Sequence, residues 1–479
     1  MAEAFTDSWE SLRGYSVPEW FMDAKFGIFV HWGPYAVPAF ESEWYPRNMY
    51  QEGSPEYEHH LEEWGDHESF GFKDFIPRFR GENWDPKQWV DLFVESGAEY
   101  VIPVAEHHDG FAMYDSDYTE WNAVEMGPER DVIGDLGAAV RDAGLRYGLS
   151  SHYAWNWRYY TYDDEFDTVD PENAGLYCRP HDPDEPADEE FLKEWAGRTK
   201  QLIDDYHPAV LWFDFGWHYE EFASHRPEIA AYYYNRASEW GDGGVLNHKH
   251  GLLTNLIQGD RGPHLDYTRD KFPAGTAVND IERGGMAELR REYWQTDTSV
   301  SNTAWGYVED HEYKTVTELV QTLVDVVSKN GNLLLNVGPK PDGTLPSREV
   351  DLLRGIGKWL ETNGEAIYGT RTWWTYGEGP TNPAEGQHTE SSDVQFTPED
   401  IRFTRGDDAL YAIVLGWAPE VRVMTLAEDR GFLSEGIETV DLLGSQPSPS
   451  WYRDAGGLHV TMPNEKPCEH AYTLKIFTE

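Results

Sequence analysis

Short apolar runs that stop abruptly at polar residues recur along this chain. The clearest is Ala209-Val210-Leu211-Trp212-Phe213, closed by Asp214. Gly27-Ile28-Phe29-Val30 runs into His31-Trp32-Gly33, and Tyr100-Val101-Ile102-Pro103-Val104-Ala105 into Glu106-His107-His108-Asp109. A continuous apolar run of this length suits a strand buried on both faces. Polar groups gathered where such strands exit are how a (β/α)8-type barrel builds a site. The pattern therefore predicts a barrel whose pocket is rich in carboxylate, imidazole and indole.

Helical patterns fall between these runs, as a parallel barrel requires. Asp85-Pro86 opens a helix with an acidic cap and proline at its first position. Residues 131–143 read as a helix stopped by Gly144. Over 189–206 the apolar stripe is Phe191, Trp195, Leu202 and Ile203. Further helices are expected over 227–239, 315–329 and 347–362. Residues 147–151 read as a short strand; weaker strand candidates are 245–247, 277–280 and 293–295, and Leu333–Val337 is a stronger one. Six to eight strands can be counted, so the pattern alone leaves the closure number open.

The character changes near Gly369. Trp373-Trp374, Val394–Phe396, Ile401–Phe403 and Leu410–Val414 are short runs, and Gly406-Asp407-Asp408 is a hairpin signal. The expected fold class is α/β: a (β/α)8-like barrel over 1–369, then a C-terminal antiparallel β-sandwich over 370–479. Two acidic stretches with proline, 163–189 and 376–393, read as surface loops.

The 479 residues carry 87 acidic and 38 basic side chains, a net charge of −49. That balance disfavours nucleic acid and anionic membranes as partners, since both need basic surface. Arg outnumbers Lys. Abundant surface carboxylate with little Lys fits solubility in concentrated salt, where screening suppresses self-repulsion. Cys178 and Cys468 give neither a disulfide framework nor a zinc spacing. Met1–Asp7 shows no signal-peptide regions. A reducing, cytoplasmic setting is expected. A homo-oligomer is compatible with the sequence.

Asp214 is the first candidate for chemistry. A carboxylate flanked by Trp212, Phe213, Phe215 and Trp217 is costly to desolvate without partners. Glu282, in Asp280-Ile281-Glu282-Arg283-Gly284-Gly285, is the second. Alone it reads as half of a surface ion pair. Beside Asp214 it gains meaning, because glycoside hydrolysis needs two carboxyl groups in different roles. His107 and His108, adjacent at a strand end, are expected to point opposite ways and so to suit hydroxyls better than one metal ion. His31-Trp32-Gly33 and Glu43-Trp44-Tyr45 pair hydrogen-bonding groups with indole, a combination that suits a sugar. No Gly-rich phosphate loop, HExxH or spaced Cys/His set is present, so neither a cofactor nor a metal is expected.

These segments also carry a resemblance. Trp20–Gly33, Glu43-Trp44-Tyr45, Glu106–Phe111, Leu211–Asp214 and Lys329–Pro339, in that order over about 20–370, are similar to family 29 of the glycoside hydrolases, the α-L-fucosidases. The resemblance implies a retaining exo-hydrolase of terminal α-linked L-fucose, acting on fucosylated oligosaccharides or glycosides. It places Asp214 on the nucleophile. His31, Glu43, Trp44, His107 and His108 fall on fucose-contacting positions, and Trp305 on an aromatic near the sugar's methyl group. Glu282 falls in a stretch like the acid/base segment of one branch. Two departures stand out. Ser150-Ser151 occupies the place of a family Tyr. Asn247-His248-Lys249 stands where many members have Arg, so Lys249 would supply a point charge near the nucleophile rather than a fork. An insertion is apparent near 252–269. The alternatives are a retaining glycosidase of other sugar specificity, a catalytically silent sugar-binding protein, and a metal-dependent hydrolase using His107 and His108.

Overall fold

The computed structural model describes residues 4–182, 184–241, 243–249, 271–391, 394–433 and 436–478. Eight parallel strands close into a barrel: β1 (Phe26–Val30), β2 (Tyr100–Glu106), β3 (Arg146–Ser151), β4 (Val210–Phe213), β5 (Val245–Lys249), β6 (Val278–Glu282), β7 (Trp294–Ser299) and β8 (Gly331–Val337). β8 returns to β1 in register, with Phe26 opposite Leu333 and Val30 opposite Val337. The expected helices appear at Pro86–Glu95, Val132–Asp142, Glu189–Tyr206, His225–Trp240, Val316–Ser328 and Ser347–Asn363. Asp85 and Asp131 cap two of them through backbone amides of their first turns.

The strands that looked weak in the sequence are complete and buried. β5 has five buried residues and β7 six, although they read Val-Leu-Asn-His-Lys and Trp-Gln-Thr-Asp-Thr-Ser. The barrel wall here is filled by polar side chains that bond to one another. Trp212 Nε1 donates to Asp280 Oδ2 at 2.8 Å, and Tyr100 Oη donates to Gln295 Oε1 at 2.8 Å. An apolar-run criterion cannot see such strands, because mutual hydrogen bonding replaces apolar contact.

After the barrel come two antiparallel sheets. One has five strands, in spatial order Ile437–Leu442, Tyr472–Thr478, Leu410–Val414, Ile401–Arg405 and Gly377–Glu378. The other has three: Glu420–Val423, Gly457–Thr461 and Ser450–Asp454. Their shared core includes Phe403, Leu410, Val414, Val423, Leu458 and Leu474. The hairpin at 406–408 joins two paired strands, with Arg405 opposite Leu410. Trp373-Trp374 and Val394–Phe396 lie outside strands; Trp374 is largely exposed, and the second run is an irregular approach to the sheet. The 163–189 stretch is not purely superficial either. Asp167 within it is buried, accepting hydrogen bonds from Tyr50 Oη at 2.6 Å and Tyr177 Oη at 2.7 Å. The insertion at 252–269 lies outside the described residues.

Candidate active site

Seven of the barrel strands bring a candidate polar side chain to one rim, within two residues of the strand's last residue. His31 follows β1, His107 and His108 follow β2, His152 follows β3 and Asp214 follows β4. Lys249 ends β5, Glu282 ends β6, and Asn336 lies near the end of β8. Parallel strands of equal hand bring these ends together, which is why residues 250 positions apart meet.

Asp214 is 5% exposed and surrounded by one cation and several donors. Its Oδ2 lies 2.8 Å from His152 Nδ1 and 3.3 Å from His108 Nε2. Its Oδ1 accepts the Phe215 amide at 2.7 Å and lies 3.1 Å from Lys249 Nζ. Burial alone would push this carboxyl up. Lys249, His152 and His108 overcome that and hold it well below the usual carboxylate range. The ionised form is thus the resting form, as an attacking oxygen requires.

Lys249 Nζ also lies 2.9 Å from Glu282 Oε2. One ammonium therefore bridges the two carboxyl groups, and the oxygens it holds can be no more than about 6 Å apart. Burial works against the ammonium, but Asp214 and Glu282 raise it well above the ordinary lysine value. His388 Nε2 approaches the same Glu282 oxygen at 3.5 Å.

The imidazoles form a cluster. His31 Nδ1 lies 2.7 Å from Asn336 Oδ1, an acceptor, so the proton sits on Nδ1 and Nε2 is left to accept. Burial holds His31 and His107 well below their ordinary value and His152 at about 4, so all three are neutral donor–acceptors. His107 and His108 do not diverge as strand alternation predicts. Both rings lie within about 5.4 Å of His152, because they follow the last residue of β2, where alternation no longer applies. Nitrogens of His31, His107 and His152 lie close enough together to hold a metal ion, as do ligand atoms of His108, His152 and Asp214. The same neutral nitrogens equally suit the hydroxyls of a sugar.

Aromatic surfaces complete the pocket. Trp44 packs near His108 and stacks parallel to Phe215. Trp305, 8% exposed, lies 5.3 Å from the His31 ring, with Lys249 Nζ 5.6 Å and the Arg283 guanidinium 4.8 Å from its centre. Glu43 Oε2 accepts the amides of Trp305 at 2.8 Å and Gly306 at 3.2 Å, which fixes that indole against β1. Burial pushes the Glu43 carboxyl up, opposed by these amides.

The expected departure at Ser150-Ser151 resolves differently. Ser151 Oγ donates to Glu106 at 2.8 Å and Ser150 Oγ lies 3.1 Å from His152 Nε2; both support the wall. The group that meets Asp214 from β3 is His152, one residue further on. The strand-exit rule applied to β3 would have found it. His388 carried no such signal, since it lies in the 376–393 stretch expected to be a surface loop. Asp297, in the middle of β7, is buried beside Asp280. Burial pushes both of these carboxyls up; the neighbouring Asp280 charge raises Asp297 further, whereas a hydrogen bond from Asp297 opposes the rise at Asp280.

A family model described as alpha-L-fucosidase matches residues 1–365, and one described as the alpha-L-fucosidase C-terminal domain matches 394–477. The chain belongs to the alpha-L-fucosidase family. It is accordingly a glycoside hydrolase with alpha-L-fucosidase activity. The tissue alpha-L-fucosidase of Rattus norvegicus is 32% identical over 482 residues, covering 98% of this chain and 92% of the relative. The plasma alpha-L-fucosidase of Homo sapiens is 30% identical, covering 99% and 93%. The crystal structure of Thermotoga maritima alpha-fucosidase in complex with fucose superposes with a TM-score of 0.76 at 34% identity, covering 98% of this chain and all of that one.

Proposed function

We propose that this fucosidase is a retaining exo-enzyme that removes terminal α-linked L-fucose by double displacement. The observation that carries the reading is the Lys249 bridge between two buried carboxyl groups at the barrel rim. A retaining site needs its carboxyls roughly 5–5.5 Å apart, an inverting one about 6.5–9.5 Å. Oxygens tied by one ammonium within about 6 Å support the shorter arrangement.

In the first step an Asp214 oxygen bonds to the anomeric carbon as the bond to the leaving oxygen breaks. Glu282 gives its proton to that oxygen. Asp214 is then a neutral ester, so Lys249 is left paired with the Glu282 carboxylate. That is the form that takes a proton from water in the second step, as the water oxygen displaces Asp214. One cation thus serves first the nucleophile and then the base. His31 and His107 supply neutral nitrogens to the hydroxyl edge of the sugar; Trp44 and Trp305 supply apolar faces.

The environment follows the same reading. A net charge of −49 supports work in concentrated salt, and free Cys178 and Cys468 support a reducing, cytoplasmic compartment.

Asp214→Ala tests the mechanism. We expect turnover of an aryl α-L-fucoside to fall below detection with folding intact, and azide to restore a measurable rate as a fucosyl azide of inverted configuration. NMR of the wild-type reaction should show the α-anomer of fucose first. First release of the β-anomer would refute retention.

A further inference from the structure

The segment 383–391 reaches back from the C-terminal part of the chain and pairs with the residues that carry Glu282. Gly285 N donates to Gly386 O at 3.3 Å and Gly386 N to Gly285 O at 2.9 Å. His388 N donates to Glu282 O at 2.8 Å, and Glu390 N to Arg283 O at 2.9 Å. Glu390 is tied further by Thr298 Oγ1 at 2.8 Å and Lys314 Nζ at 3.0 Å. The strap is thin. A cleft of about 460 Å³ lies on its His388 and Glu390 side, and one of about 430 Å³ on its Glu385 and Gln387 side. Its place therefore depends on this ladder rather than on packing behind it.

Two features single out His388 within the strap. Its backbone is left-handed, with φ +53°, a conformation that glycine takes freely and that is uncommon for other residues, though less so for histidine than for most. Its Nε2 is buried without a hydrogen-bond partner and sits 3.5 Å from Glu282 Oε2. That is the oxygen Lys249 holds from the other side at 2.9 Å.

We propose that His388 is a positioning residue for the acid/base. Together with Lys249 it holds Glu282 by Oε2, so that Oε1 faces the leaving oxygen. The 3.5 Å contact shortens to a hydrogen bond when substrate fills the site, as loose apo geometry does in many enzymes. The C-terminal part of the chain then completes the active site of the barrel. This inference rests on the assignment of Glu282 as acid/base.

The test compares two substrates, methyl α-L-fucoside and 2,4-dinitrophenyl α-L-fucoside. Only the first needs a proton delivered to its leaving oxygen. His388→Phe keeps the ring shape and loses Nε2; His388→Gln places an amide nitrogen near the lost position. For His388→Phe we expect kcat/KM, which reports the first displacement, to fall about 10- to 100-fold on the methyl glycoside and less than about 3-fold on the dinitrophenyl glycoside. His388→Gln should recover most of the difference. Equal losses on both substrates, or none on either, would overturn the proposal. Glu282→Gln is run alongside. If it shows the leaving-group selectivity and His388→Phe does not, only the role of His388 fails. If Glu282→Gln spares the methyl glycoside, the acid/base assignment fails and the proposal with it.

Discussion

Replacing Lys249 with methionine takes one charge from between two buried acids while keeping most of the side chain's volume. Nζ lies 3.1 Å from Asp214 and 2.9 Å from Glu282, and all three residues are 7% exposed or less. At an effective dielectric near 20, a pair about 3 Å apart is worth roughly 5 kcal/mol before desolvation is charged against it. Breaking a buried pair by removing one partner costs about 3–5 kcal/mol, because the other charge is left uncompensated. A loss of about 3 kcal/mol from the ionised nucleophile corresponds to roughly 100-fold in rate.

The direction with pH follows from Asp214. Burial raises its carboxyl, but Lys249 and the two histidines hold it well below the ordinary range. A depressed carboxyl contributes stability above its unfolded value near 3.9 and loses it as pH falls through the folded value. Without Lys249 the folded value rises, so the acidic limb moves toward neutrality. Lys249 has the opposite sign: its contribution is present below about 10.4 and is lost only above its raised folded value. The pair is therefore intact across the whole interval between the two unfolded values. For Lys249→Met we expect kcat/KM on an aryl α-L-fucoside at pH 7 to fall about 100-fold, with the acidic limb displaced upward. Lys249→Arg, which keeps the charge on a longer fork, should lose less. If the acidic limb of Lys249→Met overlays that of the parent in a protein whose circular dichroism is unchanged, Lys249 does not hold the nucleophile ionised.

Three further outcomes are expected. Gly284→Ala would drive its Cβ into the Gly386 carbonyl oxygen, so it should loosen the strap and lower kcat, with a stability loss of about 1–3 kcal/mol in denaturant unfolding; unchanged unfolding and kcat would mean that the ladder is dispensable. Trp305→Ala removes an indole packed against His31 and should raise KM more than it lowers kcat, read from Michaelis curves on one aryl fucoside. The unfolding temperature should rise between roughly 0.15 M and 3 M NaCl, since salt screens the self-repulsion behind a net charge of −49; a flat or falling curve would remove the argument for a saline setting.

Legibility in the sequence tracked how locally each signal was encoded. Strands β1, β2, β4 and β8 announce themselves because their burial on both faces is written as consecutive apolar residues. The strand-exit positions of His31, His107, His108 and Asp214 come with them. Strands β5, β6 and β7 were fainter, because their buried residues include Asn247, Asp280, Gln295 and Asp297, and Asp280 and Gln295 bond to Trp212 and Tyr100 across the barrel rather than being apolar. The resemblance placed Glu282, which its own neighbours would have read as half of a surface ion pair.

The amino-acid order alone settled where the chain would be extended, where it would turn helical, and which strand ends would carry chemistry. Those are consequences of residues within a few positions of one another. Barrel closure decided that one lysine faces two acids, that His152 rather than Ser150-Ser151 meets Asp214, and that His388 from the far end of the chain reaches Glu282. Those depend on charges and hydrogen-bond partners brought together across 33 to more than 100 positions, and no local pattern records a partner that only folding supplies.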